Sequence, residues 1–383
     1  MTIAFLTPEY PHFKTGNSGG IGTSIKNLAL GLLAKGVLVR VLVYGQKEEG
    51  VFNDDGIVIQ QIKNVKFKGL SWFFTRKKVE KIINQLYSAK EIDLVEAADW
   101  TGITSFIQPR KCPLIIRLHG SDAYFCHLDN RQVKWVNKYH EKRALKKADA
   151  LLSVSQFAAA TTNTVFGLNE EFDVIPNLID INLFKPLENF SQGNKNILYF
   201  GSLIRKKGLL ELPHIFNKVV ESDPEVKLIL IGKDIPDIVS GNSSTWKMML
   251  ESFSEKAKTN VSYLGSIPNS EIKNKIEEAI ICVFPSFAEA FPVSWLEAMA
   301  MQKVIVASNI GWAKEMIIDG ESGFLVHPEN HDLFASRIVY LLKDLDFSKA
   351  MARNARKRVE LFFNVEKIVE HNIDFYKSII YRS

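Results

Sequence analysis

Short apolar runs rich in β-branched residues alternate along this chain with longer segments of helical period, and this alternation restricts the fold more than any other feature. The first apolar run covers residues 3–6, and residues 24–35 follow it with apolar side chains at helical spacing, ending at Gly36. Strands that alternate with helices form right-handed parallel units. The pattern therefore predicts open parallel sheets covered by helices.

The alternation runs in two blocks separated by a polar, aperiodic stretch at residues 176–194. In the first block we predict further strands at 38–44, 57–62, 94–96, 114–118, 151–154 and 172–175, and the clearest helices at 76–89, 134–148 and 156–165. In the second block we predict strands at 197–200, 226–231, 261–264, 281–284, 304–307 and 324–326, and helices at 332–342 and 347–362. The fold class is therefore α/β, with two Rossmann-like, doubly wound domains of residues 1–185 and 186–363 facing a central cleft.

Length and composition agree with two globular domains and exclude several other classes of protein. The 383 residues are 46% hydrophobic, and no apolar run approaches the roughly 20 residues of a membrane span. The first residues lack the basic start and long apolar core of a signal peptide, so we expect a cytoplasmic protein. Cys112, Cys126 and Cys282 have no metal-like spacing, which favours ordinary core packing.

The net charge of +5 is concentrated in the first half of the chain, where 24 basic residues face 18 acidic residues up to residue 185. Basic and aromatic side chains gather in residues 63–81, among them Lys66, Lys68, Trp72, Phe73, Arg76 and Lys77. This composition is typical of a segment that rests on an anionic membrane surface, although a solvated helix face is the alternative. A second basic run lies on the predicted helix 134–148. No nucleic-acid binding module is recognised, so we expect no nucleic-acid partner.

The residues that follow the strands of the first domain are candidates for ligand binding, because open parallel sheets bind ligands at the carboxyl ends of their strands. The loop from Gly16 to Gly22 contains Gly19 and Gly20 and leads into a helix, so that its backbone amides can approach an anion. A flexible turn is the alternative interpretation. His119 follows the strand at 114–118, and an imidazole at such a position favours a functional role over a structural one.

Two clusters follow strands of the second domain. Arg205, Lys206 and Lys207 precede a helix, and because the helix dipole disfavours cations there, they indicate a nearby anion or else a solvated basic turn. Glu289 and Glu297 follow the strand at 281–284. Glu297 belongs to a largely apolar helix and needs a hydrogen-bonding partner, for which the vicinal hydroxyls of a ribose are suitable.

The motifs occur in an order and spacing that resemble the retaining glycosyltransferases of family 4, which have the GT-B fold. The resemblance covers almost the whole chain and rests on Gly19-Gly20-Ile21, His119-Gly-Ser-Asp122, Ile175-Pro176-Asn177, Gly201-x5-Lys207-Gly208, Glu289-x7-Glu297 and Gly320-x2-Gly323-x-Leu325-Val326.

The resemblance implies a role for each matching residue. Lys207, with Arg205 or Lys206 as a helper, is expected to hold the donor diphosphate. Glu297 is expected to bind the ribose and Glu289 the hydroxyls of the transferred sugar. The other implied donor-site positions are the backbone amides of Ala290, Phe291 and Val293 and the loop at Gly19 and Gly20. His119 is expected to contact the sugar across the cleft, which makes His119, Lys207 and Glu289 the predicted catalytic residues. The helix at 364–383 is expected to pack back on the first domain.

The chain departs from the family pattern at Ser202, where many relatives carry an arginine, and at Gly311-Trp312, where many read Gly-Gly. The first departure leaves the diphosphate site one cation short unless Arg205 takes over. Both concern donor recognition and neither removes the core chemistry.

The resemblance implies a retaining glycosyltransferase that moves a hexosyl unit from a UDP- or GDP-linked sugar to a glycan or lipid-linked acceptor in cell-surface polysaccharide or glycoconjugate biosynthesis. Cations and helix-terminal amides can stabilise the leaving diphosphate, so we predict a reaction without metal or other cofactor. We expect the protein in the cytoplasm, with a peripheral position on the inner face of the membrane. The alternatives are a glycosidase-like carboxylate pair, an epimerase or phosphorylase of the same fold, and a non-catalytic nucleotide-sugar binding module.

Overall fold

The structure is a computed structural model that describes residues 1–16, 18–109, 111–186 and 195–381. It divides into unit 1, Met1–Leu178 with Val365–Ser383, and unit 2, Ile179–Asn364. The division falls before Ile179, whereas the linker composition had indicated residue 185. The reason is that the Ile179 amide donates to the Phe363 carbonyl at 3.0 Å, which holds the entry and exit of unit 2 together. Residues 187–194 of the predicted linker lie outside the described residues.

Unit 1 contains an eight-stranded sheet with the order β3-β4-β2-β1-β5-β6-β7-β8. Its strands are β1 (Thr2–Thr7), β2 (Leu38–Gln46), β3 (Gly50–Asp54), β4 (Ile57–Lys63), β5 (Leu94–Ala98), β6 (Leu114–Leu118), β7 (Ala150–Ser153) and β8 (Asp173–Val174). The pairing is parallel except between β3 and β4, which form an antiparallel hairpin at the edge. The central strands β5 and β6 are buried along their whole length, as expected for a parallel sheet covered on both faces.

Helices and one short 3-10 helix connect these strands. They are α1 (Gly20–Ala34), α2 (Ser71–Ser88), the 3-10 helix Trp100–Phe106, α3 (Asp122–Leu128), α4 (Trp135–Leu145) and α5 (Gln156–Phe166). The apolar stripe of α1 buries Ile25, Leu28 and Leu32 in the same core cluster as strand residues such as Ile3. The 3.6-residue spacing of those side chains is what makes one face of α1 apolar.

The last helix of the chain, α14 (Val365–Ile380), completes unit 1. Its Ile368 and Val369 belong to the core cluster of α1. Its Tyr376 hydroxyl donates to Glu96 Oε2 at 2.7 Å, while Arg117 Nε donates to Glu96 Oε1 at 2.7 Å. A buried ion pair between β5 and β6 therefore ties this helix to the middle of the sheet.

Unit 2 contains a six-stranded, fully parallel sheet with the order β11-β10-β9-β12-β13-β14. Its strands are β9 (Asn196–Phe200), β10 (Lys227–Ile231), β11 (Val261–Tyr263), β12 (Ile281–Phe284), β13 (Val304–Ala307) and β14 (Phe324–Leu325). Its helices are α6 (Leu212–Ser222), α7 (Thr245–Ser252), α8 (Glu255–Lys258), α9 (Asn269–Glu278), α10 (Val293–Ala300), α11 (Ala313–Met316), α12 (His331–Lys343) and α13 (Leu345–Phe362), with a 3-10 turn at Arg205–Lys207.

Both predicted blocks of alternating strands and helices are present, and the differences are local. The hairpin strand β3 and the short helix α3 were not predicted from the sequence. The helix predicted at 134–148 begins at Trp135 and ends at Leu145. No helix in the described parts of the chain is long and apolar enough to cross a membrane.

Candidate active site

The basic turn after β9 is joined to the loop after β12 by backbone hydrogen bonds. The amide of Phe287 donates to the Lys206 carbonyl at 2.8 Å. Gly208 ends the turn with a φ of +69°, and a Cβ placed there would lie 1.8 Å from the Pro285 carbonyl oxygen. Only glycine allows this close approach of two strand-end loops, which brings the basic turn next to the segment that contains Glu289.

Lys207 and Glu289, two predicted catalytic residues, form an ion pair in unit 2. Lys207 Nζ lies 3.2 Å from Glu289 Oε1, and the Ser286 hydroxyl donates to the same oxygen at 3.2 Å. Their side chains are 22% and 12% exposed, respectively. The pair is therefore partly buried but accessible to a ligand, with both charges already compensated.

Glu297, predicted to bind the ribose, lies half-buried on α10. Burial raises the pKa of its carboxyl to about 8, while the positive charge of Lys207 acts in the opposite direction. At neutral pH the carboxyl is therefore mostly protonated and can donate one hydrogen bond as well as accept.

Tyr199, a buried residue of β9, stabilises the loop Gly201-Ser202, because its hydroxyl donates to the Ser202 carbonyl at 2.9 Å. Burial and the Glu289 charge keep the pKa of Tyr199 well above its usual range, so that it remains a hydrogen-bond donor. Sequence reasoning assigned no role to Tyr199. Its place within two residues of Gly201, at a strand end, was the available signal.

Arg205 has an anionic partner within unit 2, although we expected it at the donor diphosphate. Its guanidinium binds Asp237 through two hydrogen bonds, Nε to Oδ1 at 2.8 Å and Nη2 to Oδ2 at 2.6 Å. The guanidinium holds the pKa of the buried Asp237 carboxyl well below its usual range. Arg205 thus links the loops after β9 and β10 and does not supply a free cation in place of Ser202.

The remaining donor-site positions lie at the start of α10. Ala290 and Phe291 are buried in the loop, and Val293 is the first residue of the helix. Pro292 stands at the N-cap of this helix. The loop and helix therefore carry Glu289 and Glu297 on one continuous segment.

In unit 1, His119 directly follows β6 and is half-buried. Burial, and to a smaller extent the charge of Arg117, lowers the pKa of its imidazole to about 3, so His119 is neutral. Its backbone amide donates to Asp99 Oδ1 at 2.9 Å. His119 can therefore exchange hydrogen bonds with a hydroxyl group but carries no charge.

Asp99 follows β5 and was not singled out from the sequence. Burial raises the pKa of its carboxyl to about 7, and its Oδ2 has no hydrogen-bond partner among the described residues. Its position directly after a buried strand, which His119 shares, was the signal that could have identified it.

Comparison with known proteins identifies the family. The model of glycosyl transferases group 1 matches residues 180–358, and the model of glycosyltransferase family 4 matches residues 18–183. The chain is a group 1 glycosyltransferase with the GT-B fold. This confirms the resemblance, the fold class and the transferase class that the motifs indicated.

Individual relatives agree with this assignment. An uncharacterised glycosyltransferase of Methanocaldococcus jannaschii is 25% identical over 98% of both chains. The sucrose-phosphate synthase structure from Thermosynechococcus elongatus has a TM-score of 0.81 at 20% identity and covers 100% of both chains. The structure of Anabaena HepE in complex with UDP-glucose has a TM-score of 0.76 at 22% identity, covering 99% of this chain and 100% of HepE.

In this glycosyltransferase, an internal carboxylate occupies the glycine loop where we expected a phosphate or acceptor. Glu9 Oε1 accepts a hydrogen bond from the Gly22 amide, in the first turn of α1, at 3.0 Å. A Cβ at Gly19 would lie 3.3 Å from the same oxygen, while one at Gly20 would meet no atom within 4 Å. The Glu9 carboxylate therefore already interacts with the positive end of the α1 dipole, where an incoming anion would otherwise bind.

The predicted surface residues of the glycosyltransferase divide into two groups. Lys66, Lys68, Trp72 and Lys77 are exposed, and Phe73 is half-buried. Arg76 is buried, contrary to the sequence interpretation, because it caps the 3-10 helix Trp100–Phe106 from inside unit 1. Its Nε donates to the Ile103 carbonyl at 3.1 Å and its Nη2 to the Gly102 carbonyl at 3.3 Å.

Within the described parts of the chain, no group of three or more His, Cys, Asp or Glu side chains is arranged to hold a metal ion. The sequence does contain one Asp-x-Asp tripeptide, Asp344-Leu345-Asp346, a pattern that binds metal in other transferases. Here Asp344 accepts a hydrogen bond from the Phe347 amide at 3.0 Å and caps α13. That tripeptide thus has a structural explanation.

Proposed function

We propose that this glycosyltransferase moves a hexosyl unit from a nucleotide sugar, UDP- or GDP-linked, to a glycan or lipid-linked acceptor, with retention of anomeric configuration and without a metal. The observation that carries the proposal is the Lys207–Glu289 pair at the strand ends of unit 2, with half-buried Glu297 on the following helix. HepE, which shares the fold, was crystallised with UDP-glucose, and this supports a nucleotide-sugar donor.

Lys207 is the group we assign to the departing nucleoside diphosphate. Negative charge develops on the leaving oxygen during transfer, and a fixed ammonium group in a partly buried site stabilises it more than water does. In the unliganded protein Glu289 compensates this charge. Donor binding replaces that contact with diphosphate oxygens at Lys207 and with sugar hydroxyls at Glu289.

Glu297 is the group we assign to the ribose. Its carboxyl is mostly protonated in the free protein, and two vicinal hydroxyls offer both donors and acceptors to it. With Glu297 on the ribose, Glu289 is the one acid assigned to the sugar. A double-displacement mechanism through two flanking carboxylates is then not available, so we propose departure and attack on the same face.

His119 is the group we assign to hydroxyl recognition in unit 1, where the buried Asp99 carboxyl accepts a hydrogen bond from its backbone amide. Burial lowers the pKa of the His119 imidazole and keeps it neutral, which suits hydrogen bonding to an uncharged sugar or acceptor hydroxyl. We propose that the acceptor belongs to cell-surface polysaccharide or glycoconjugate biosynthesis and that the transfer takes place at the cytoplasmic side of the membrane.

A donor screen tests the proposal. Thermal unfolding is followed with UDP-glucose, UDP-galactose, UDP-N-acetylglucosamine and GDP-mannose, each with and without EDTA. We expect one donor at 100 times its dissociation constant to stabilise the protein by about 2.7 kcal/mol, equally in EDTA. Stabilisation by none of them would overturn the nucleotide-sugar assignment, and stabilisation or turnover lost in EDTA would overturn metal independence.

The product then distinguishes the proposed transfer from the other activities of the same fold. Proton NMR of the glycoside formed from an α-linked donor is expected to show the α-anomer. A β-anomer would overturn retention. Epimerised donor formed without any acceptor, or turnover that requires inorganic phosphate, would identify an epimerase or a phosphorylase instead.

A further inference from the structure

Exposed apolar side chains of unit 1 gather on one face, which we call the aromatic–lysine surface. It joins the start of α2 to the start of α4 and consists of Phe67, Leu70, Trp72, Phe74, Trp135, Val136 and Tyr139. Their exposed fractions run from 37% at Phe74 to 77% at Trp135. Ring contacts join the two helices through buried His140, whose ring centroid lies 5.1 Å from that of Trp72 and 5.4 Å from that of Tyr139.

Buried groups hold this surface in place from below. His140 hydrogen-bonds Ser105 at 2.9 Å, and the Arg76 guanidinium lies over the Trp72 ring at 5.3 Å. Of the six tryptophans, all within the described residues, only Trp72 and Trp135 are exposed. A contiguous, structurally supported apolar patch on a protein surface indicates a binding partner.

The charges around the patch indicate an anionic partner. The segments 63–79 and 130–140 contain no acidic residue. Lys66, Lys68, Lys134 and Lys138 are exposed, and none of them forms an ion pair with another described residue. By contrast, Lys77 pairs with Glu80, next to the patch, at 3.0 Å. Four uncompensated cations therefore surround the exposed rings.

The chemistry of the patch selects among anionic partners. Tryptophan and tyrosine rings are favoured at a membrane interface. The methylene groups of lysine can pack against apolar surface while the ammonium group reaches lipid phosphates. The aliphatic side chains of Leu70 and Val136 can bury area in acyl chains, whereas they cannot stack on nucleic-acid bases in the way that the rings can. A bilayer accounts for the aromatic, aliphatic and basic members together.

We propose that the aromatic–lysine surface docks unit 1 on an anionic lipid bilayer, with Trp72 and Trp135 in the interface and Lys66, Lys68, Lys134 and Lys138 against lipid phosphates. This surface adds the α4 residues to the segment 63–81 and removes Arg76 from it. None of its members belongs to the donor site of unit 2, so the proposal stands independently of donor identity.

Vesicle co-sedimentation of the full chain tests the proposal. Vesicles of phosphatidylcholine alone are compared with vesicles that contain one third phosphatidylglycerol, at low and high salt. We expect at least about tenfold stronger partitioning onto the anionic vesicles, weakened by salt. Equal partitioning onto both vesicles, or no partitioning onto either, would overturn the proposal.

Two double variants locate the contact. Trp135→Ser/Tyr139→Ser and Lys134→Glu/Lys138→Glu are each expected to lower partitioning about tenfold or more. The matched controls lie in unit 2: Ile238→Ser/Val239→Ser removes two exposed apolar side chains, and Arg353→Glu/Lys357→Glu reverses two exposed charges at the same spacing on α13. Equal losses in the controls would show unspecific adsorption and contradict the proposal.

A second readout reports insertion directly. Acyl-chain brominated lipids quench only tryptophans that enter the bilayer, so we expect quenching of the wild-type protein that falls in Trp135→Phe. Urea unfolding of every variant, compared with that of the wild type, serves as the folding check. A dimer that Trp135→Ser abolishes, or single-stranded RNA that displaces the protein from vesicles, would assign the surface to a different partner.

Discussion

The strand ends of the two units carry their ionisable side chains in opposite ways. In unit 2, Lys207 pairs with Glu289 and Arg205 pairs with Asp237, so that charged groups are present and compensated before any ligand binds. In unit 1, burial shifts His119 and Asp99 toward their neutral forms. The difference suits a division of work in which unit 2 handles a charged diphosphate and unit 1 handles uncharged hydroxyl groups.

The charge at Lys207 is the part of this comparison with the largest expected effect. Lys207→Ala removes the cation assigned to the leaving diphosphate, and initial transfer rates are expected to fall by about 10²- to 10³-fold. Lys227→Ala is the matched control. Lys227 is an exposed lysine at the amino end of β10, whereas the candidate site lies at the carboxyl ends of the strands. Wild-type rates in Lys207→Ala would remove the basis for assigning the diphosphate to unit 2.

The backbone geometry behind that charge can be tested with one glycine in each unit. Gly208 and Gly167 both have positive φ, but a Cβ would strike the Pro285 carbonyl only at Gly208 and would meet nothing within 4 Å at Gly167. We expect Gly208→Ala to lower the free energy of unfolding by about 3 kcal/mol and Gly167→Ala by about 1 kcal/mol. Urea unfolding measures both, and equal losses would contradict the close approach of the two loops in unit 2.

The buried carboxyl of Asp99 in unit 1 predicts a pH dependence of stability. The pKa of Asp99 is about 7 in the folded protein and near 3.8 when unfolded, so the folded state binds more protons between these values. Stability is therefore expected to fall as pH rises from about 4 to about 7, by up to about 1.4 kcal/mol per pH unit.

Asp99→Asn removes this titration and is expected to flatten the dependence of Tm on pH. Asp173→Asn, an exposed position on β8, is the control that should leave it unchanged. A pH profile of Asp99→Asn identical to that of the wild type would show that Asp99 is not held protonated by the fold.

Glu297 differs from the ion-paired side chains of unit 2, because its carboxyl is mostly protonated at neutral pH. Ribose hydroxyls donate more strongly to an ionised carboxylate than to a protonated carboxyl. Since the pKa of Glu297 is about 8, the affinity for the nucleotide is expected to rise by up to about tenfold between pH 7 and pH 9. Calorimetric titration should find this rise lost in Glu297→Gln and kept in Glu271→Gln, an exposed glutamate on α9.

The parts of the fold and site that depend on local pattern were predictable from the sequence. Alternating apolar runs gave both sheets, because buried parallel strands and amphipathic helices leave distinct periodicities. The family resemblance carried by Gly201-x5-Lys207-Gly208 and Glu289-x7-Glu297 implied a common donor site, and the structure brings Lys207 Nζ and Glu289 Oε1 within 3.2 Å of each other.

The parts that depend on single long-range partners were not predictable. Nothing in the loop sequence marks Asp237 as the partner of Arg205, and nothing marks Glu9 as the carboxylate at the start of α1, since an isolated acid carries no spacing signal. Arg76 is a different case. It lies three residues before Val79 and seven before Ile83, so helical periodicity already placed it on the buried face of α2.

The bond between Tyr376 and Glu96 has a consequence for how the chain is made. A ribosome releases residues 1–178 before residues 179–364, but the sheet of unit 1 lacks the helix that packs against it until residues 365–380 have been synthesised. Unit 2 is by then fully translated and has all of its own elements. The unit that is encoded first is therefore the unit whose elements are completed last.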